Sequence, residues 1–474
     1  MSFVADLHLH SKYSRAVSQN MILPEMARWA SLKGLDVIST SDFTHPLWFR
    51  ELKSQLEEAS DGLYRLKSDN SQTLFLLSTE ISSIYKQGEK LRRIHNLVFV
   101  PNLETVEKIN KEFTKRAFNL LADGRPIIGL SSKDLLELLL SIDKNILLIP
   151  CHVWTPHFGL YGSASGFDSI EECFGNLRDY VYAVETGLSS DPEMNWQIEE
   201  LRTRSILSFS DAHSGAKMGR EATVFELQEP SYENIRKSIT RLSVFSGQLS
   251  GTSSSVARST DKLKTEQQKT ENRKPKTDNR IQYTIEFYPE EGKYHFSGHR
   301  NCKVVRGPEE TRKDGNICPV CKRRLTEGVL YRLQQLSNKN LLGKVEAKIS
   351  QSGIKWYTDT MKNHPPFIKL VPLNEIISEA FSSTVSSQKV KDTFDNLCKN
   401  LGSEIEVLLK TPLSQIEKIG GAKLSQGLDK VRKGNIVIDP GYDGEYGKVK
   451  IWNGNDTITQ SVEEKQESQL GLQF

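Results

Sequence analysis

Short apolar runs alternate with polar, helix-periodic stretches along the first half of the chain. Runs at 3–7, 36–39, 73–77, 96–100, 146–150, 180–184 and 206–209 are each four or five residues long and predict buried strands. Stretches at 24–33 and 132–141 carry the helical period between them. Strands alternating with helices predict a parallel sheet or barrel with right-handed crossovers. One run departs from the pattern: His95 stands before its apolar residues, so that strand is expected to be reversed or paired as a hairpin.

The pattern stops near Gly247. From 248 to 280 the chain is Ser-, Thr-, Lys- and Glu-rich with almost nothing apolar. Such a segment cannot offset the entropy of ordering and is read as a flexible polar linker. Alternation resumes at 281–287 and again through Tyr294 and Phe296, with Pro-Glu-Glu-Gly between, which predicts a hairpin. Helical spacing follows at 328–336, 341–349, 373–380 and 390–401, then a helix–Gly-Gly–helix pattern from Lys410 to Gly434 and a strand at 436–439. The tail, 454–474, is polar until its last six residues and is expected to be disordered. The expected organisation is therefore 1–247, a linker at 248–280, a small unit at 281–330 and a helical region at 331–453.

Bulk composition removes several classes. With 474 residues the chain is too long for one ordinary core. A net charge of +3 provides no global field for nucleic acid, so any such binding must come from local basic patches. Six cysteines, only three of them clustered, do not form a secreted disulfide framework. No leader pattern and no window near the roughly 18 apolar residues of a membrane span is present. A cytoplasmic, nucleoid-associated location is expected.

Histidines and carboxylates gather at the ends of the predicted strands. Seven of the ten histidines lie before residue 247. His8 and His10 are spaced i, i+2, which on a strand directs both rings to one side, and Asp211 and His213 repeat that spacing after the last run. Glu80 and His152 end two further runs, and Glu185 ends another as a metal ligand, an orienting carboxylate or a capping group. Each alone suits a satisfied core-edge residue. Together they predict a hydrolytic metal cluster, and imidazole mixed with carboxylate suits Zn²⁺ or Mn²⁺ better than Mg²⁺.

Asp-Leu-His-Leu-His-Ser near the start, Asp42 in Val-Ile-Ser-Thr-Ser-Asp and the late Ser-Asp-Ala-His resemble the polymerase-and-histidinol-phosphatase (PHP) phosphoesterase domain. The resemblance implies a distorted (β/α)7 barrel with two or three metal ions at the strand ends. It implies that His8, His10, Glu80 and Asp211 hold one ion, and that Glu80, His95 and His152 hold a second. His213 with Asp42 would hold a third. Asp211, Glu80 and His152 would carry the cleavage chemistry, and adjacent ions would activate water toward a phosphate ester. The family has a histidine after the second-patch aspartate, where this chain has Phe43; His45 is a substitute or the third site is weak. Asp6 is expected to orient a ligating histidine.

Gly-His299-Arg-Asn-Cys302, followed after fifteen residues by Cys318-Pro-Val-Cys321, has the spacing of a structural Cys3His zinc site, with His295 as a competing ligand. Lys303, Arg306, Arg312, Lys313, Lys322, Arg323 and Arg324 surround it, and Arg323 and Arg324 are candidate phosphate contacts. The Gly420-Gly421 turn with Lys423 is a second candidate phosphate contact, or a plain helical hairpin.

The order of these parts, with Pro-Pro-Phe…Val-Pro-Leu at 365–373 and Pro-Gly-Tyr-Asp-Gly-Glu-Tyr-Gly at 440–447, resembles the endonuclease Q family. That resemblance implies cleavage of double- or single-stranded DNA on the 5′ side of deaminated bases (uracil, hypoxanthine, xanthine) and abasic sites, after the lesion is extruded from the stack. Trp154 and Phe158 are candidate stacking residues or rim packing. The final Gln469-Leu-Gly-Leu-Gln-Phe474 resembles a sliding-clamp-binding peptide, with Gln469, Leu472 and Phe474 as anchors. A PHP-type small-molecule phosphatase would leave the zinc unit and C-terminal motifs idle, and a non-catalytic DNA-binding protein would leave the ligand set idle.

Overall fold

The computed structural model describes residues 1–68, 71–249 and 279–452. The bulk of the predicted linker and the predicted disordered tail, with its terminal peptide, lie outside these residues. Among the described residues no helix is long and apolar enough to cross a membrane.

The chain is α/β. Its strands in order begin β1 (Ser2–Asp6), β2 (Val37–Ser39), β3 (Leu56–Ser60), β4 (Leu63–Leu66) and β5 (Leu74–Leu76). They continue with β6 (Ser78–Gln87), β7 (Lys90–Phe99), β8 (Ile127–Ile128), β9 (Leu147–Pro150), β10 (Ala183–Glu185), β11 (Ser205–Leu207) and β12 (Ala222–Glu226). β1, β2 and β5 run parallel, with Ala5 opposite Val37 and Ile38 opposite Phe75. β6 and β7 form a long antiparallel hairpin, β9 pairs antiparallel with β7, and β10 runs parallel to β11. Single backbone hydrogen bonds stitch these sheets together: Val100 N to Leu77 O at 3.1 Å, Val153 N to Glu185 O at 3.2 Å and His10 N to Ala212 O at 3.2 Å. Inward side chains of these strands, among them Ala5, Val37, Leu76, Phe99, Ile149 and Leu207, form a core of their own. Alternation of side chains along each strand leaves the opposite faces to pack against the helices.

Two expectations past residue 280 are corrected. β13 (Arg280–Glu286) does not form a hairpin with the segment around Phe296; it pairs antiparallel with β12 and parallel with β18 (Phe367–Lys369). Its Ile281 and Ile285 are buried, so a non-local partner covers it better than a local turn. The stretch 341–349 is not a helix. Gly343 takes φ +68°, and Val345–Ile349 is a strand, β16, paired with β17 (Lys355–Asp359). Leu341, Val345 and Ile349 mimic the helical period by their spacing alone.

From Leu373 to Lys433 the elements are helical, Leu373–Ala380, Gln388–Leu401, Glu404–Leu409, Leu413–Gly420 and Ala422–Lys433, and the expected strand follows as Val437–Asp439, paired antiparallel with Lys448–Lys450. These helices dock on the helix Leu23–Lys33 through a buried ion pair between Lys33 and Glu404, with Trp29 against Phe394 at 6.3 Å. Glu404 also accepts from Leu373 N at 2.8 Å. Glu404→Ala would strand the Lys33 ammonium, and an uncompensated buried charge costs about 3–5 kcal/mol. Denaturant unfolding is expected to show that loss. A change below about 1 kcal/mol would mean that water reaches the pair.

Candidate metal centre and cleft

The strand ends place most of the sequence-predicted ligands in one buried pocket. His8 and His10 follow β1, Asp42 follows β2, Glu80 lies in β6, His95 in β7, His152 after β9, Glu185 at the end of β10 and Asp211 after β11. Asp42, His152 and Asp211 adopt φ of +45°, +34° and +47°. Left-handed backbone at non-glycine positions is costly, and here it turns each side chain into the pocket just past its strand.

The two histidines of the His-x-His pair share one arrangement. Glu185 holds His8 Nδ1 at 2.8 Å, and Asp42 faces His10 Nδ1 at 3.5 Å. Both Nε2 atoms therefore point inward, His10 Nε2 lying 2.9 Å from Asp211 Oδ1 and 3.4 Å from Glu80 Oε2. His8 Nε2 lies 3.7 Å from Glu80 Oε2 and 3.8 Å from Asp211 Oδ1, buried and without a hydrogen-bond partner. The Glu185 carboxylate behind His8 fixes that ring's tautomer and orientation, as metal-ligating histidines require, whereas Asp42 faces His10 Nδ1 without a hydrogen bond. The other Glu80 oxygen, Oε1, lies 2.5 Å from His95 Nδ1 and 3.1 Å from His152 Nε2. One carboxylate thus stands between two groups of donors. His8, His10 and Asp211 converge as one group, and Glu80, His95 and His152 as another, the ligand atoms of each lying within 4.8 Å of one another.

The electrostatics favour a cation. Burial opposes the charge on Glu80, but His95 and Arg125 outweigh it and hold the carboxyl well below the usual range. Burial lowers the His8 imidazole, yet Glu185 reverses this and raises it well above normal; His10 is raised to about 9 against burial by Asp211 and Asp42. The carboxylates thus draw protons onto His8 and His10 to balance their charge, a role a divalent ion fills equally well, whereas burial lowers His95 to about 4. The donor set fits bound metal.

Other expectations resolve differently. Asp6 does not orient a ligating histidine: it accepts from Ser210 N at 3.0 Å, Ser210 Oγ at 2.5 Å and Gly219 N at 2.9 Å, and so pins the turn that carries Asp211. Asp42 and His213 are not brought together in a donor group among the described residues. Asp42 Oδ2 is occupied by Ser11 N at 2.7 Å, Ser11 Oγ at 2.6 Å and Ser14 Oγ at 2.8 Å. Phe43 is fully buried, and His45 stacks on Tyr13 at 4.2 Å. His213 Nδ1 bonds to Asp211 O at 2.9 Å, and its ring lies 4.7 Å from that of His10.

Three contributors were not singled out from sequence. Arg125 donates to Glu80 Oε2 at 3.1 Å. Gly124 leaves room for Asp42, since a Cβ there would come within 2.4 Å of Asp42 Oδ2. Tyr294 and Tyr446 face the centre from later in the chain across a cleft of about 490 Å³, whose walls include His95, Arg125, His152, Phe158, Asp211 and Lys293. The Asp-Gly turn at 123–124 was a visible signal for the first two and the 440–447 motif one for Tyr446, whereas Tyr294 had none. Phe158 is half-buried against His95 at 4.4 Å; Trp154 is core, bonded to Asn195.

In the second motif His299, Cys302, Cys318 and Cys321 converge within 4.8 Å, with His299 Nδ1 3.4 Å from Cys321 Sγ. Burial raises the Cys318 thiol, but the amides of Cys321 and Val320 outweigh it and bring it down to about 6. His295 is outside the group, buried beside Phe296. Arg323 and Arg324 are exposed, and so is Lys423, whose ammonium sits 5.1 Å over the Trp452 ring. Arg306 is occupied, donating to Gly315 O at 2.6 Å.

Residues 372–435 match the family model of the MJ0043 C-terminal domain. An uncharacterized protein MJ0043 of Methanocaldococcus jannaschii is 31% identical over 305 residues, 63% of this chain and 31% of that protein. The chain therefore spans about a third of that curated relative's length. The uncharacterized protein YqxK of Bacillus subtilis is 26% identical over 465 residues, 94% of this chain and 98% of that protein. Among solved structures, the lesion-specific endonuclease PfuEndoQ of Pyrococcus furiosus aligns with a TM-score of 0.74 at 26% identity, over 97% of this chain and 99% of that one. Endonuclease Q in complex with a 27-mer duplex substrate bearing an abasic lesion at its active site aligns with a TM-score of 0.74 at 27% identity, covering 96% and 97%.

Proposed function

We propose that this chain, which shares the endonuclease Q architecture along nearly its whole length, is a metal-dependent DNA repair endonuclease. Its finer activity is hydrolysis of the phosphodiester 5′ of deaminated bases (uracil, hypoxanthine, xanthine) and abasic sites. The observation that carries this reading is Glu80, one buried carboxylate between two donor groups, whose neighbours His95, His152 and Asp211 line a cleft together with Lys293, Tyr294 and Tyr446.

His8, His10 and Asp211 would hold one ion, and His95 and His152 a second, with Glu80 serving both. The bound ions supply Lewis acidity toward a phosphoryl oxygen and offset the charge that develops there. Zn²⁺ or Mn²⁺ suits these donors. We assign Asp42 and Glu185 to orienting His10 and His8, which gives a two-ion centre. Arg125 and Lys293 place positive charge along the cleft for the phosphates on either side of the scissile bond. The His213 ring, donating from Nδ1 to the Asp211 carbonyl, keeps Nε2 as its bare nitrogen, able to take a proton. Tyr294, Tyr446 and Phe158 offer aromatic faces for an extruded nucleotide, and damaged or mispaired bases cost least to extrude.

Residues 1–247 then form the PHP-type barrel that cleaves. The zinc unit within 281–330 and the helices between Leu373 and Lys433 hold DNA, through Arg323, Arg324 and the Gly421 turn with Lys423. The terminal peptide with Gln469, Leu472 and Phe474 is proposed to engage a sliding clamp.

The test is incubation of the metal-loaded full chain with end-labelled duplexes containing uracil, inosine, an abasic site or no lesion, beside a generic phosphomonoester. Cuts 5′ of the lesions, with the intact duplex spared, are expected. Turnover of the monoester alone sinks the endonuclease reading in favour of a small-molecule phosphatase, and binding without cleavage sinks catalysis altogether.

A further inference from the structure

Cys151 is the residue of the pocket that the ligand assignment leaves unused. It follows β9 directly, its amide donates to His95 O at 3.2 Å, and it is fully buried. Its sulfur lies 3.6 Å from Glu80 Oε1 and 3.6 Å from His152 Nε2, while those two atoms are 3.1 Å apart. Metal–sulfur bonds of about 2.3 Å and metal–nitrogen or –oxygen bonds of about 2.0 Å give a tetrahedral edge of about 3.5 Å between sulfur and the lighter donors. The triangle made by Cys151, Glu80 and His152 has those dimensions. A second observation points the same way: His8, whose fully buried Nε2 has no hydrogen-bond partner, joins Cys151 and Glu80 in a donor group whose ligand atoms lie within 4.8 Å of one another. An ordinary core cysteine at a strand end would need only apolar neighbours, and here the sulfur faces donors.

We propose that Cys151 supplies a thiolate to the ion shared by Glu80, His95 and His152, which biases the centre toward zinc over manganese. The inference rests on the metal-dependent reading above. Thiolate is a soft donor that zinc accepts readily and manganese poorly, whereas an all-imidazole and carboxylate set distinguishes the two far less. The bond forms between sulfur and the ion as the thiol proton leaves to solvent, with no change of oxidation state.

The test loads the intact chain with cadmium-113 and records its NMR spectrum. Two sulfur-bearing sites are expected: a strongly deshielded resonance from the three cysteines of the His299 site, and an intermediate one with the shift of a single-sulfur site. In Cys151→Ser the intermediate resonance is expected to move into the nitrogen–oxygen range while the other stays. Zinc affinity at the centre should fall by roughly 100-fold, with manganese affinity changed far less. A wild-type spectrum whose other resonances all lie in the nitrogen–oxygen range overturns the proposal and leaves the nuclease reading standing. Uptake of a single cadmium, at the His299 site, overturns both. Because the wild-type spectrum decides alone, a misfolded serine variant does not blunt the test.

Discussion

Asp211→Asn is expected to cut lesion cleavage by about 10³-fold or more, equivalent to roughly 4 kcal/mol of transition-state stabilisation. The fold should stay intact. The carboxylate is ionised in place: burial opposes its charge, but the His10 hydrogen bond and the His8 and His10 imidazoles outweigh it and hold the carboxyl well below its usual range. Oδ1 lies 2.9 Å from His10 Nε2, so an amide of the same shape fits the space while removing one anionic donor from the His8–His10 group. The left-handed φ of +47° suits asparagine as well as aspartate. The expected readout is therefore split: circular dichroism and melting temperature close to wild type, metal content below wild type, and no measurable cleavage of an abasic duplex. Retention of rate within tenfold would remove Asp211 from the metal-binding group.

That split was legible in the sequence because ligands at strand ends follow from a local rule. An apolar run fixes a strand, the strand fixes its end, and i, i+2 spacing fixes a common side for His8 with His10. Glu80 was visible for the same reason, although β6 continues past it as Ile-Ser-Ser-Ile, whose mixed polarity hid seven further strand residues. Roles that depend on partners distant in sequence were not legible. Glu185 reaches His8 across 177 residues, so only the folded chain separates an orienting carboxylate from a ligand or a cap. Phe43 marked the Asp42–His213 site as the weak one in the sequence, but the occupation of Asp42 Oδ2 by Ser11 and Ser14 exists only in the folded chain. At 341–349 the sequence period misled outright, since an edge strand exposed on both faces tolerates apolar residues at any spacing and Gly343 breaks the helix the spacing suggests. The pairing of β13 with β12 likewise needed a partner 56 residues away, Phe225 standing opposite Ile281, beyond any local turn signal.

Cys318→Ser is expected to release one zinc per chain and to unfold the segment around it, leaving the Glu80 centre loaded. The segment has little else to hold it. The helix Pro308–Asp314 buries only Thr311, and Val305, Ile317 and Val320 are exposed, Val320 at 67%. Structural zinc supplies about 10–16 kcal/mol of apparent binding energy to such units, far more than one short helix and a two-stranded ribbon can. Cys318 also carries the geometry: its carbonyl accepts from Lys322 N at 3.0 Å and its amide donates to Arg323 O at 2.8 Å, which forms the turn that exposes Lys322, Arg323 and Arg324. No ion pair to those three is present among the described residues, which leaves their charges for phosphates. Losing the turn should therefore weaken duplex binding by roughly 10- to 100-fold near physiological salt, and reduce the slope of log affinity against log salt by about 2–3. Cleavage of a saturating abasic substrate should fall much less than binding does. Proteolysis would then cut within 300–325 in the variant alone. A serine variant that keeps its full zinc content and an unchanged salt slope would show that His299 and the other two cysteines suffice, and would take Arg323 and Arg324 out of the DNA interface.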